Sequence, residues 1–312
     1  MPLPFRDETP SLPNNRVLAE KRLNHLKKKF ERDPTYREQY TKQMNTLFSS
    51  KYAEVVSERG KEGKVWYIPH HGMKQPNKLR VLFDCSSQLR GISPNALLLI
   101  GPDLTNTLTG VLCRFRKEVI AFMCDVKGMF HQFHVNKEHR DYLRFLWWLN
   151  GDVSRRLSDC QMNVHLCGAA SSPGCSNFGL KQIAKDYADE FGRDASEFIQ
   201  NYFYVDDGLK SVSTEEEAID LIVRTRRMCG RGRLHLHKIV SKSRKVMQAV
   251  PIDDRGKNVK ELNLLHDKLP VEKALGVQWC LESDSFQFRI SFQDKPPTRR
   301  GILSTVMSVY DP

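Results

Sequence analysis

The spacing of apolar positions predicts two consecutive helices near the start of the chain. A first apolar stripe runs at helical spacing from Leu18 to Phe30, and Asp33-Pro34 interrupts it. A second stripe runs from Tyr36 to Leu47. Ahead of this pair, residues 1–14 hold four prolines and little periodicity, which predicts an extended lead-in.

The next apolar runs predict a β-hairpin. Val65–Ile68 is a short strand candidate, and Leu79–Asp84 is the one that follows it. The loop between them is basic and contains Lys74, while Arg80 and Val81 point to opposite faces, so that Arg80 offers a cation. The pattern predicts a flap that holds phosphate groups, and ordinary surface charges explain it equally well.

Two further runs end on carboxylates. Val119–Asp125 is apolar up to its last residue, which is typical of a strand buried on both faces with a polar group where it emerges. Phe198–Val205 is rich in β-forming residues and leads directly into Asp206-Asp207-Gly208. Because Asp-Gly between two such runs indicates a tight hairpin, both carboxylates are expected at or beside its tip.

Adjacent aspartates at a hairpin tip repel each other and add nothing to a core, so a bound cation is the economical reason for keeping both. The alternative is a solvated turn, because turns favour aspartate. We interpret Asp253-Asp254 in that second way, since it lies in a polar segment flanked by proline and glycine. Asp206-Asp207 differs because an aromatic run leads into it.

Shorter patterns predict the remaining elements. These are a helix over Leu104–Arg116, a helix over Ser176–Phe191, a capping box at Thr214–Glu217 that opens a helix stopped by Gly230, and a hairpin of Leu275–Trp279 with Ser285–Phe292.

Charge favours a polyanionic partner. The 312 residues carry a net charge of +12 and a pI near 9.3, which favours nucleic acid ahead of a membrane surface. Cations cluster in the first predicted helix, where they indicate either contact with a nucleic-acid backbone or a solvated helix face. They are Lys21, Arg22, Lys27, Lys28, Lys29 and Arg32.

Cysteine usage and hydropathy bear on the compartment. The eight cysteines form no CxxC pair, and Cys113, Cys124 and Cys167 lie in apolar company, which predicts buried free thiols. No apolar run approaches the ~18 residues of a membrane span, and the N-terminus lacks the features of a signal peptide. We therefore expect an intracellular protein. A zinc site at Cys124, His131 and His134 is disfavoured by its irregular spacing.

The carboxylates suggest a reaction. Asp125, Asp206 and Asp207 could together hold two Mg²⁺ ions, which activate an attacking oxygen and stabilise the leaving oxygen of a phosphoryl transfer. With a basic flap and a basic surface, a polymerase is the leading hypothesis. A two-metal nuclease would use the same carboxylates, and a nucleic-acid-binding protein without catalysis is the alternative outside enzymes.

Several motifs carry a resemblance to reverse transcriptases. Tyr204-Val205-Asp206-Asp207 resembles their signature hairpin, and Cys124–Gln132 resembles their first carboxylate motif. Gly168–Pro173 resembles their Gly-x-x-x-Ser-Pro motif, and Lys78–Asp84 resembles the fingers strand. Three further segments are similar to the polyproteins of BEL/Pao-type LTR retrotransposons, namely Trp66–Gly72, Phe145–Trp148 and Arg300–Thr305.

The resemblance implies an α+β fold with the fingers–palm architecture of a right-hand polymerase. A small antiparallel palm sheet backed by helices, an N-terminal helical pair and a truncated or absent thumb are expected. The implied domains are a lead-in and helical pair over 1–58, fingers over 59–118, a palm over 119–295 interleaved with fingers around 126–160, and the start of a truncated C-terminal connection over 296–312.

The resemblance also implies roles. Asp125, Asp206 and Asp207 would bind two Mg²⁺ ions, with Mn²⁺ as a substitute. Phe130 would stack under the incoming sugar and select deoxynucleotides, unless it is one more core residue. The other implied roles are triphosphate binding by Lys74 and Arg80, a floor under template and nucleotide at Gly168 and Pro173, a nucleotide contact at Tyr204, proton donation by Lys238, and a primer grip at Leu275–Trp279.

The implied partners are an RNA template, a DNA primer and a dNTP, in the cytoplasm or in retroelement particles. The chain also departs from the family pattern. Cys167 occupies a position where related elements carry Phe or Gln, and the sequence of Arg231–Lys238 departs from the motif expected there. The chain ends at Pro312 inside what the pattern predicts to be a new element, so a partial product is expected. These departures keep open a catalytically decayed, nucleic-acid-binding protein.

Overall fold

The computed structural model describes residues 1–8, 10–58, 60–75, 78–287 and 296–306. The chain divides into two units, and neither is a continuous stretch of sequence. Unit 1 comprises Met1–Asp103 and Gly128–Phe178, and unit 2 comprises Leu104–Lys127 and Gly179–Pro312. The fingers and palm bounds expected from the sequence stay predictions.

Helices and strands alternate irregularly along the described chain. The helices are α1 (Arg16–Arg32), α2 (Pro34–Ser49), α3 (Pro94–Leu97), α4 (Leu108–Phe115), α5 (Met129–Gln132), α6 (Ser172–Asp186), α7 (Ala188–Phe191), α8 (Arg193–Tyr202), α9 (Glu215–Arg231), α10 (Arg244–Ala249), α11 (Lys257–Lys260) and α12 (Arg299–Val306). The strands are β1 (Ala53–Val55), β2 (His70–Gln75), β3 (Lys78–Phe83), β4 (Ile120–Val126), β5 (Arg144–Trp147), β6 (Ser158–Met162), β7 (Phe203–Tyr204), β8 (Asp207–Val212), β9 (Leu236–Ser241), β10 (Val271–Ala274), β11 (Val277–Cys280) and β12 (Ser285–Gln287).

The predicted helical pair is confirmed as α1 and α2 in unit 1. Asp33 separates them, and its side chain accepts a hydrogen bond from the Tyr36 amide (2.9 Å), which caps the first turn of α2. The apolar faces of both helices are buried in one core with β5. Tyr40 stacks on Trp147 there, with ring centroids 5.6 Å apart.

The predicted strand at Val65–Ile68 is wrong. Trp66 and Ile68 are fully buried, and their amides donate to the carbonyls of Asp141 and Arg144 instead of forming a hairpin ladder. The strand that pairs with β3 is β2, which contains His70, so the hairpin begins later than the apolar run suggested. The apolar run Val65–Ile68 is buried in the core without regular strand pairing, so an apolar run alone does not identify the strand that pairs with β3.

Unit 2 contains a four-stranded antiparallel sheet in the order β7-β8-β4-β9, and α8 and α9 pack against it. The predicted buried strand is confirmed as β4, where Ala121, Phe122, Cys124 and Val126 are buried. A second antiparallel sheet has the order β10-β11-β12. The chain is therefore a mixed α+β protein with small antiparallel sheets.

The predicted strand over Phe198–Val205 is mostly wrong, because α8 continues to Tyr202 and only Phe203 and Tyr204 remain for β7. The buried residues of α8 are Ala195, Ser196, Phe198 and Ile199, which is a helical spacing. Burying this face outweighs the β propensity of the individual residues.

Several smaller predictions change in their bounds. The Thr214 hydroxyl caps α9 by accepting from the Glu217 amide, as predicted, but the helix ends at Arg231, with Gly232 rather than Gly230 at its C-terminus. The predicted hairpin is confirmed in β11 and β12, where Trp279 lies opposite Phe286, whereas Phe288, Ile290 and Phe292 lie outside the described residues. Strand β10 was not predicted from the sequence.

Two expectations about burial are wrong. Asp254 is buried, because Arg226 forms an ion pair with it and His235 donates to its Oδ1 (2.7 Å); only Asp253 is exposed as expected. Cys124 is buried, but Cys113 and Cys167 are exposed. No helix in the described ranges is long and apolar enough to cross a membrane.

Candidate carboxylate site

The central strand β4 places Asp125 between two neighbouring strands of unit 2. Asp125 lies opposite Asp207 on β8 and opposite His237 on β9. Directly opposed residues on antiparallel strands have side chains on the same face of the sheet, so the carboxylates of Asp125 and Asp207 are neighbours. The structure therefore brings together two of the three predicted metal ligands, and Asp206 precedes Asp207 directly.

The hairpin turn lies two residues earlier than the Asp207-Gly208 signal implied. Tyr204 pairs with Asp207, so the turn residues are Val205 and Asp206. The Asp206 carbonyl accepts from the Val126 amide (2.8 Å), which fixes the turn to β4. Gly208 lies inside β8, and a Cβ there would lie only 2.5 Å from the Phe203 ring. Close ring packing, and not turn geometry, requires this glycine.

Two side chains of β9 donate hydrogen bonds to the Asp125 carboxylate and compensate its negative charge. The Lys238 ammonium donates to Oδ2 (2.6 Å), and His237 Nε2 donates to Oδ1 (2.8 Å). The ladder between β4 and β9 changes register after Met123, and Lys238 has a φ of 50°. This β-bulge lets two consecutive side chains reach the same carboxylate.

Burial and charge act together on Asp207. Burial, and after it the nearby carboxylates of Asp206 and Asp125, raise the pKa of its carboxyl to about 7, against an opposing effect of the Lys238 ammonium. Burial likewise raises the pKa of the adjacent Cys124 thiol. Crowded carboxylates of this kind suit a hard divalent cation, which prefers oxygen ligands and removes their mutual repulsion.

In the described residues, the side chains around Asp125 and Asp207 are not arranged as a set of metal ligands. Among the described residues, no group of three or more His, Cys, Asp and Glu side chains has the arrangement of a metal site. At Asp125 both carboxylate oxygens are engaged by Lys238 and His237, which supply the compensating donors. A metal ion at Asp125 would have to replace these two donors, so Mg²⁺ binding by the three aspartates stays a prediction.

The carboxylates open onto a cavity of about 780 Å³ within unit 2. Asp125, Asp207 and Lys238 line one part of it, and Leu275 and Gln278 line another. Leu275 and Gly276 form the tight turn between β10 and β11, with φ values of 50° and 93°. Part of the predicted primer grip thus lies on the same cavity as the carboxylates.

Tyr204 is partly buried and packs against the core of unit 2. The remaining predicted site residues belong to unit 1. Arg80 is exposed on β3 opposite Met73, and Phe130 is half-buried in α5. The Lys74 ammonium donates to Asp33 Oδ2 (2.8 Å) and sits in β2 rather than in a loop. The roles of these residues stay predictions.

The loop at Gly168 is held by backbone contacts. Gly168 has a φ of 121°, and a Cβ there would lie 2.6 Å from the Phe83 carbonyl oxygen. The Asn95 side chain donates to the Gly168 carbonyl (3.0 Å) and accepts from the Ala170 amide (2.8 Å). Only glycine fits this position without displacing the loop.

Sequence reasoning missed His237 and Asn95. Neither lies in a recognisable motif, and each acts on a partner far along the chain. The one available signal for His237 was the imperfect alternation of Leu234, Leu236 and Ile239 with His235, His237 and Lys238, inside the segment Arg231–Lys238 that departs from the family pattern. Its contact with Asp125 depends on the pairing of β4 with β9, which the sequence does not display.

Comparisons with known proteins give only distant likenesses. No protein-family model matches the chain, and no curated protein matches it. Similar solved structures include the foamy viral protease-reverse transcriptase dRH in complex with ds DNA, at 14% identity over 61% of this chain and 28% of that one, with a TM-score of 0.47.

Two more are of the same kind. The foamy viral protease-reverse transcriptase in complex with RNA/DNA hybrid is 12% identical over 62% of this chain and 22% of that one, with a TM-score of 0.47. The Prototype Foamy Virus Protease-Reverse Transcriptase CSH mutant is 12% identical over 75% of this chain and 26% of that one, with a TM-score of 0.48. The matches span well under a third of these longer chains, so any function assigned to this protein rests on its own residues.

Proposed function

We propose that this chain is the RNA-directed DNA polymerase domain of a BEL/Pao-type retroelement. The observation that carries the proposal is the placement of Asp125 directly opposite Asp207 on neighbouring strands, on a cavity shared with Lys238 and the Leu275 turn. Carboxylates, an ammonium group and a tight hairpin on one cavity suit a primer end and an incoming nucleotide.

Asp125, Asp206 and Asp207 would hold two Mg²⁺ ions, which when bound activate the primer 3′-hydroxyl and stabilise the leaving oxygen. Lys238 is well placed to hold a proton at Nζ, since its side chain is 58% exposed while its ammonium contacts Asp125. It would release that proton to the departing pyrophosphate.

The substrates follow from charge and from the motifs. Arg80 presents an exposed guanidinium on β3 that forms no ion pair with the described residues, and it would bind the triphosphate. Lys74 lies on the other face of this hairpin and donates to Asp33, so we do not propose it as a partner of Arg80 in that contact. Phe130 would contact the sugar, with Gly168 and Tyr204 beside template and nucleotide. The net charge of +12 supports an RNA template and a DNA primer as partners.

Primer extension on an RNA template tests the proposal. Asp206→Asn should lower Mg²⁺-dependent extension on the order of a hundredfold or more, because it removes a ligand of the reacting centre. Asp253→Asn is the matched control, because Asp253 also belongs to an Asp-Asp pair but is exposed outside the cavity. Chelation should abolish extension, and Mg²⁺ or Mn²⁺ should restore it. An Asp206→Asn protein that extends primers like the native chain would refute the site.

A second candidate is a nucleic-acid-binding protein without catalysis. The observation that favours it is the double engagement of Asp125 by Lys238 and His237, which satisfies the carboxylate without a metal ion. Filter binding measured beside primer extension separates the two functions. Binding of the primer–template without any extension by the native chain would support this candidate against the polymerase.

A further inference from the structure

The outer face of α1 carries a stripe of cations in unit 1. The buried residues Ala19, Leu23, Leu26 and Phe30 define the inner face of this helix. Successive residues of an α-helix are rotated by about 100°, which places Lys21, Lys28 and Arg32 within about 40° of one another and nearly opposite the buried face. All three side chains are exposed.

The stripe is not neutralised by neighbouring acids. Within the described residues, Lys21, Lys28 and Arg32 form no ion pair, whereas Arg16 at the start of the helix is paired with Glu20 and Asp159. The acidic residues of α1 flank the stripe, since Glu20 and Glu31 are rotated by about 80° and 60° from Lys28, its nearest member. Neither forms an ion pair with the stripe in the described residues, so its three cations remain available to a polyanion.

A second part of the chain adds a cation to the stripe. Leu89 and Ile92 exchange two backbone hydrogen bonds (3.0 and 3.1 Å) around a turn formed by Arg90 and Gly91. Both turn residues have positive φ, 54° and 79°, which makes a tight turn with Arg90 exposed at its tip. Arg90 and Lys21 line the same groove of about 450 Å³.

We propose that Lys21, Lys28, Arg32 and Arg90 form a binding surface for the phosphate backbone of duplex nucleic acid. From Lys21 to Arg32 the stripe is about 16 Å long, enough to meet several phosphates of one strand. Fixed cations opposite a buried face bind phosphates without reading bases, so the surface holds a duplex independently of its sequence.

A membrane is the less suitable partner for this surface. An amphipathic helix that binds a lipid surface must insert its apolar face, but the apolar face of α1 is already buried in the core of unit 1. Duplex binding at α1 does not depend on nucleotidyl transfer at the carboxylates. It can therefore hold or fail irrespective of the proposed polymerase activity.

Fluorescence anisotropy of a labelled RNA–DNA hybrid tests the surface with the full chain. The triple variant Lys21→Gln/Lys28→Gln/Arg32→Gln should bind at least about tenfold more weakly at low salt. With fewer phosphate contacts, fewer counterions are released from the duplex when the protein binds. The slope of log affinity against log salt concentration should fall by about 2 to 3. Arg90→Gln should weaken binding further when added to the triple variant.

The control variant is Arg193→Gln/Arg227→Gln/Lys268→Gln, which removes the same charge from exposed residues of unit 2 that form no ion pair with other described residues. It should leave the salt slope nearly unchanged. The charge-preserving variant Lys21→Arg/Lys28→Arg/Arg32→Lys should bind like the native chain. Equal losses in the stripe and control variants would overturn the proposal, and so would binding to phosphatidylserine vesicles but not to the hybrid.

Discussion

Single residues show how the same dipeptide acquires opposite environments in this chain. Asp206-Asp207 and Asp253-Asp254 look alike in sequence, but Asp254 is buried by Arg226 and His235 while Asp207 faces other carboxylates. The partners of Asp254 lie 28 and 19 residues away, so no local signal predicts them. An acidic pair is therefore interpretable only through what it contacts.

His70 is a residue whose burial makes stability depend on pH. Its Nε2 donates to the Leu146 carbonyl (2.9 Å), and its Nδ1 accepts from the Tyr40 hydroxyl, so both ring nitrogens are used by the neutral imidazole. Burial lowers the pKa of His70 from 6.5 to about 4. Below pH 6.5 the unfolded chain gains a proton that the folded chain refuses. Stability is therefore full above that pH and falls as the pH drops towards 4.

Urea unfolding of His70→Gln should reveal this effect. The native chain should lose roughly 2 kcal/mol through His70 between about pH 7.5 and 5, and the variant should lack that loss although it is less stable at the higher pH. His71→Gln is the control, because His71 is the adjacent histidine but is exposed. If His70→Gln retained the full pH dependence of the native chain, the buried neutral histidine would not be its source.

At the scale of elements, local irregularities build the carboxylate site. The bulge at Lys238 brings two side chains to Asp125, and the turn at Val205 brings Asp206 and Asp207 to the end of β4. Val205 has a φ of 56°, a region that a β-branched residue rarely adopts. Such conformations persist where the surrounding structure enforces them, and they cluster at functional sites.

Val205→Gly tests whether the turn is strained. Glycine adopts positive φ without steric cost, so the variant should raise the free energy of unfolding by roughly 1 kcal/mol in urea titrations. Primer extension should fall at the same time, because a looser turn holds the two aspartates less firmly. Val212→Gly, at the far end of β8, should only destabilise. A marked loss of stability in Val205→Gly would show that the side-chain packing of Val205 outweighs its strain.

At the scale of the whole molecule, each of the two units is built from two separate stretches of the chain. Residues 104–127 belong to unit 2 although they interrupt unit 1, and each unit has its own buried core. The core of unit 1 includes Tyr40 and His70 from the first segment, and Phe145 and Trp147 from the second. A cut in the sequence therefore does not separate the folded units.

A fragment of residues 1–118, the lead-in and fingers expected from the sequence, should consequently fail to fold. It lacks β5 and β6, so β1 loses its pairing partner and the aromatic core loses Trp147. Circular dichroism should show no cooperative thermal transition for this fragment, whereas the full chain should show one. A fragment of residues 1–178 is the comparison, because it restores both segments of unit 1. Cooperative unfolding of 1–118 alone would contradict the discontinuous core.

Much of the local structure was accessible from the pattern alone. The helical pair, the buried strand ending on Asp125 and the capped helix after Thr214 follow from periodicity and capping chemistry, which act between residues close in sequence. The segments at Val65–Ile68 and Phe198–Val205 misled for one reason. Their apolar residues are buried by distant partners, and burial overrides intrinsic strand preference.

The sequence by itself determined that three aspartates are available near strand ends and that the chain is strongly basic. Only the tertiary structure decided that Asp125 faces Asp207 and His237, that Asp254 is buried, and that Lys21 of α1 lines a groove with Arg90. The physical reason is that strand register and burial are set by contacts between segments far apart along the chain. Neighbouring residues determine the local preference for helix or strand, but they do not determine which distant strands pair or in which register.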